Sequence, residues 1–105
     1  MSRSRTTINP EWLHNATAGE ILSSEFMEPL GLDARALADA IDASADRVEA
    51  VVSGTAPMDA ELDLRLARYF RMSEGFFLRL QADYELLEAK RALNGSLDRI
   101  APRAA

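Results

Sequence analysis

Between Asp33 and Gly54 the apolar residues fall at helical spacing twice, with a short interruption between the two runs. Leu37, Ala38 and Ile41 recur three and four residues apart, and Val48, Val51 and Val52 do the same after Asp42-Ala43-Ser44. Helices this short must bury their stripes against each other or against neighbours. Ser44 has the hydroxyl to cap the second helix, and Gly54 has the freedom to end it in a left-handed conformation. Asp42 stands at the turn, where Asp tolerates positive φ better than most residues. Ala38 is small where the second helix must cross the first. The stretch 33–54 therefore predicts a helix-turn-helix.

The flanking sequence supplies three more helices. Thr17-Ala18-Gly19-Glu20 has the capping-box pattern, and Ile21, Leu22, Phe26 and Met27 follow as an apolar stripe, predicting a first helix from about Ala18 to Glu28 that Pro29 stops. Asp59 is placed to cap a fourth helix carrying Leu62, Leu66, Ala67, Tyr69 and Phe70. Its Arg65 and Arg68 suit ion pairs with the acidic half of the chain, or phosphate contact. Ser73 is the expected cap of the longest helix, 74–93, closed by Asn94-Gly95. The expected architecture is an all-α, five-helix domain over residues 17–95 with a long C-terminal helix. Residues 1–16 read as a mobile N-terminal arm whose Trp12 either tucks onto the domain or anchors a partner, and residues 96–105 read as a C-terminal strap and tail.

The long helix is apolar on two sides. Phe76, Phe77, Leu80, Tyr84 and Leu87 cluster on one face, and Leu78, Ala82, Leu86, Ala89 and Leu93 on nearly the opposite one. A domain of 105 residues has one core and covers one of them. The second face predicts a dimerisation surface, unless Leu97 and Ile100 of the tail fold back over it.

Charge and chemistry narrow the function. Residues 1–64 hold four arginines against twelve acids, while residues 65–105 hold eight basic residues against five acids, so the helix-turn-helix lies in the acidic half of a chain of net charge −5. With no cysteine, one lysine and only His14 as a histidine, the chain has no constellation for nucleophilic or general acid–base catalysis, and no enzyme activity is expected. No metal or cofactor is expected either: Asp39, Asp42 and Asp46 lack the glycine and closing glutamate of a calcium loop, and phosphate-cradling glycine loops are absent. No apolar run follows the basic opening residues, so no membrane contact is expected and the expected compartment is the cytoplasm.

Binding remains. On the helix from Ala45 to Ser53 the apolar positions face inward. Candidate DNA contacts on the outer side are Ser44, Asp46, Arg47, Glu49, Ser53 and Thr55. Arg47 alone suits bidentate guanine contact; Asp46 and Glu49 could accept from cytosine N4, but they repel phosphates. The bare chemistry predicts a weak DNA reader.

Gly19-Glu20-Ile21-Leu22, Glu25 through Leu32, Leu37-Ala38, Leu64 through Phe70 and Arg99 through Arg103 resemble, in order and spacing, the HigA antitoxins, which belong to the Xre helix-turn-helix group related to lambda repressor. The resemblance covers roughly residues 17–103. It implies a lambda-repressor-like homodimer that neutralises a HigB-type toxin, a small basic ribonuclease of the RelE group that cuts mRNA, and that represses its own operon through operator DNA. An acidic antitoxin suits a basic toxin. Where members of this family often carry arginine, asparagine or glutamine on the second helix and a basic residue after its closing glycine, this sequence has Asp46, Glu49, Thr55 and Ala56. The alternatives are a stand-alone Xre-family transcriptional regulator and a helix-turn-helix protein that has lost DNA binding.

Overall fold

The computed structural model describes residues 14–104, all of whose regular elements are helical. Trp12 and the rest of the arm through Leu13 lie outside the described residues. Helix α1 begins as an α turn at Ala18–Ile21, continues as a π-helical stretch at Leu22–Met27 and ends in a 3-10 turn at Glu28–Leu30. It is followed by α2 (Ala34–Ile41), α3 (Ala45–Ser53), α4 (Ala60–Phe70) and α5 (Phe76–Leu93), and a 3-10 turn at Ser96–Arg99 closes the chain.

The helix ends follow from local chemistry. Thr17 and Glu20 form the expected capping box, Thr17 Oγ1 accepting from the Glu20 amide at 3.0 Å and Glu20 Oε1 from the Thr17 amide at 2.8 Å. Pro29 does not stop α1 at Glu28, because in the first positions of a 3-10 turn its missing N–H is not needed. The chain runs on to Gly31, whose φ of 66° ends the helix. Asp42 adopts φ 57° at the turn between α2 and α3, and Gly54 adopts 84° after α3, as expected. Ser44 Oγ accepts from the Arg47 amide, and Asp59 Oδ1 accepts from the Leu62 amide.

The core forms where α1 to α5 converge. Leu22, Leu37, Val48, Leu62, Leu66 and Phe77 are fully withdrawn from solvent, and Phe26, Phe70 and Phe76 pack around Phe77 with ring centroids 5.0–6.4 Å from it. Ala38 is buried as the crossing of α2 and α3 requires. A second close approach, without a warning in the apolar pattern, lies at Gly19: a Cβ there would overlap the Val51 carbonyl oxygen. Helix α1 thus rests directly on the backbone of α3, in the last turn of that helix.

The start of α5 departs from expectation. Ser73 does not cap it; Ser73 Oγ instead accepts from Arg79 Nη2 at 3.2 Å. The cap comes from α4. Asp63, 1% exposed, accepts from the Gly75 amide through Oδ2 at 2.7 Å, and from the Phe77 and Leu78 amides through Oδ1 at 2.7 and 3.0 Å. Gly75 at φ 92° turns the chain so that these N–H groups converge, and the helix therefore begins at Phe76 rather than Glu74. Orphan N–H groups and the positive end of the helix dipole both favour an anion at this place.

Replacing Asp63 by alanine leaves these buried amides without an acceptor. We expect a loss of about 3 kcal/mol or more in urea denaturation, at roughly 1–3 kcal/mol for each unsatisfied group, together with faster hydrogen exchange at Phe77 and Leu78.

Candidate nucleic-acid interface

Helix α3 presents Asp46, Glu49 and Ser53 to solvent, with Ser44 before it and Thr55 after it also exposed. The Ser44 oxygen is engaged in capping. The Ser53 and Thr55 hydroxyls both donate to the Ala50 carbonyl, at 3.2 and 3.1 Å, and lie 3.2 Å from each other. Their protons thus satisfy the end of α3 and are not free for a phosphate. Asp46 and Glu49 make the outer face negative, the wrong sign for a polyanion.

Arg47 has a different setting. Its side chain is only 31% exposed and turns toward the start of α4, where Nη2 donates to both carboxylate oxygens of Asp59, at 2.5 and 2.6 Å, and Nη1 lies 3.4 Å from Glu61. The Arg47 hydrogen bond holds the Asp59 carboxyl below its usual range, helped by the Leu62 amide. In return, Asp59 raises the pKa of Arg47 above the ordinary arginine value. Glu61 is also held below its usual range, first by its hydrogen bond from Arg65 and then by Arg47.

Arg65 completes the arrangement. Its Nη2 donates to Glu61 Oε2 at 3.1 Å, while Nη1 donates to the Ile41 and Asp42 carbonyls at 3.0 and 2.9 Å, covering the C-terminal end of α2. Of the roles open to Arg65, pairing with the acidic half is the one the geometry fills. Arg68, one turn on, is exposed and makes no ion pair or hydrogen bond with the described residues.

Arg35, in the first turn of α2, was not singled out by spacing. It is exposed and unpaired among the described residues, at the helix end that lies against the DNA backbone in helix-turn-helix complexes. The available signal was its place two residues after the capping Asp33, since the start of a helix favours phosphate. Asp59 and Glu61 were missed as neighbours of α3 because their contact with Arg47 crosses twelve or more residues of sequence.

The outer stripe of α5 is divided. Leu78 packs half-buried against the core with Leu80, whereas Ala82, Leu86, Ala89 and Leu93 are exposed, Leu86 at 59% and Leu93 at 41%. The tail does not cover them, since Leu97 and Ile100 are themselves 48% and 67% exposed. Among the described residues no cluster of His, Asp or Glu is placed to hold a metal ion, and no helix is long and apolar enough to cross a membrane.

No protein-family model matches the chain. Virulence-associated protein I of Dichelobacter nodosus is 39% identical over 72 residues, 69% of this chain and 67% of that protein. Among solved structures, Pseudomonas aeruginosa antitoxin HigA with the higBA promoter is 33% identical with a TM-score of 0.77, covering 87% of this chain and 100% of that one. Another solved structure, of a Pseudomonas aeruginosa protein in complex with its operator DNA, is 34% identical with a TM-score of 0.80 over 86% of this chain and 96% of that one.

Proposed function

Since the chain belongs to the HigA-type antitoxins, within the Xre-like helix-turn-helix regulators, we propose that it binds and neutralises a small basic mRNA-cutting toxin of the HigB type and represses its own operon. The observation that carries this is the similarity to an antitoxin over that protein's whole length. The acidic surface supports it, because residues 1–64 offer a negative field to a positive partner, which speeds encounter and disfavours wrong partners. Co-expression with a basic toxin encoded beside the gene is expected to restore growth and to yield a complex on co-purification. DNA binding with neither result would identify a stand-alone regulator instead.

The DNA contacts we propose are phosphate contacts by Arg35, the Ser44 hydroxyl and the start of α2, with Asp46 and Glu49 reading cytosine at a cost in phosphate repulsion. Affinity is then weak and governed by few cations. In anisotropy titrations at several salt concentrations, Arg35→Ala is expected to weaken binding and flatten the log–log salt slope by about 1, and Glu49→Lys to tighten binding to any sequence.

We further propose that Ala82, Leu86, Ala89 and Leu93 pair two copies of the chain, as uncovered apolar stripes on a helix favour association. Leu86→Glu is expected to lower the mass in light scattering to that of one chain; an unchanged mass would remove this face from the proposal.

A further inference from the structure

The structure assigns Arg47 a positioning role: with Asp59, Glu61 and Arg65 it forms an ion network that sets α3 against α2 and α4, and it does not itself read bases. The inference rests on the DNA-binding part of the proposed function for its consequence, but its geometry stands apart from it. At one end Arg47 on α3 is gripped by both oxygens of Asp59, the residue that caps α4. In the middle Glu61 takes Arg47 Nη1 at 3.4 Å and Arg65 Nη2 at 3.1 Å. At the other end Arg65 Nη1 closes on the Ile41 and Asp42 carbonyls, the last acceptors of α2. The cap and first two turns of α4, from Asp59 to Arg65, therefore hold both helices of the helix-turn-helix.

Three physical points favour positioning over reading. Arg47 Nη2 is taken by both oxygens of Asp59 and Nη1 faces Glu61, so the two terminal nitrogens with which the guanidinium would make a bidentate contact with guanine are already engaged. To read a base, Arg47 would have to leave two carboxylates and enter a surface where Asp46 and Glu49 add no compensating cation. Second, the pairs are shared: Glu61 serves two arginines, so ordering one side chain orders the next, and a network loses less side-chain entropy per contact than an isolated exposed pair. Third, Arg65 meets carbonyls at a helix C-terminus, where positive charge is favoured by the dipole.

Asp59→Asn separates the two roles, because asparagine keeps the cap of α4 but removes the charge that holds Arg47. If Arg47 reads bases, Asp59→Asn frees it and leaves operator binding equal or tighter, while Arg47→Ala weakens cognate DNA selectively, by roughly ten-fold or more. A positioning role predicts another pattern. Arg47→Ala and Asp59→Asn each weaken operator binding by a similar factor, about three- to five-fold, and the double variant loses no more than either single one. Hydrogen exchange without DNA gives an independent readout. Amides of α3 are expected to exchange faster in both single variants and equally fast in the double variant, with Arg47→Lys intermediate. Unchanged exchange of α3 in Asp59→Asn, or tighter operator binding by it, overturns the inference. Should the wild-type protein bind no DNA, the exchange pattern alone decides the network, and the proposed operator binding fails separately.

Discussion

The Asp63 carboxylate joins the two halves of this domain. The helix-turn-helix and α4 form one packed group, and α5, which carries both the last core aromatic and the exposed apolar stripe, must be anchored to it. Phe77 supplies the apolar part of that anchor and Asp63 the polar part, by accepting the amides that the first turn of α5 cannot satisfy. Burying a carboxylate is costly unless hydrogen bonds compensate it, and here the compensation comes from a helix end that needed an acceptor. Because each side answers the other's requirement, the direction of α5 is well determined. The stripe from Ala82 to Leu93 consequently points away from the core.

A similar economy governs the acidic face. A helix-turn-helix whose second helix has Asp46 and Glu49 outward and its lone arginine, Arg47, turned to α4 has given up most of the phosphate attraction on which non-specific DNA binding relies. The fold is nevertheless maintained by charge: the same carboxylates that make the amino-terminal half negative, Asp59 and Glu61, hold Arg47 and Arg65 across helix boundaries. Negative potential thus fixes helix geometry internally, and externally it is the sign that would favour the basic partner proposed for this chain. Arg35, at the opposite end of α2, is exposed and carries the phosphate contact proposed for this domain.

Much of this was legible along the chain. Helix ends were written in short-range chemistry, so Thr17 with Glu20, Ser44, Gly54 and Asp59 announced their caps, and Asp42 announced the left-handed turn. The apolar stripes named the core, from Leu22 through Leu37 and Val48 to Leu66. Asp63 carried a signal too, since it lies three and four residues before Leu66 and Ala67 and so falls on the buried face of α4, where a carboxylate requires donors. What it would meet there was not legible, because the donors are twelve to fifteen residues away.

Local sequence by itself determined the all-α class, the helix-turn-helix and most helix boundaries, because periodicity and capping act within a few residues. Tertiary structure alone decided that Asp63 rather than Ser73 starts α5, that Gly19 seats α1 on the backbone of α3, that Leu78 belongs to the core while Leu86 does not, and that Arg47 faces α4. Each depends on how two helices are juxtaposed. Spacing along one helix tells which side chains share a face, and only the crossing of a second helix tells what that face will touch.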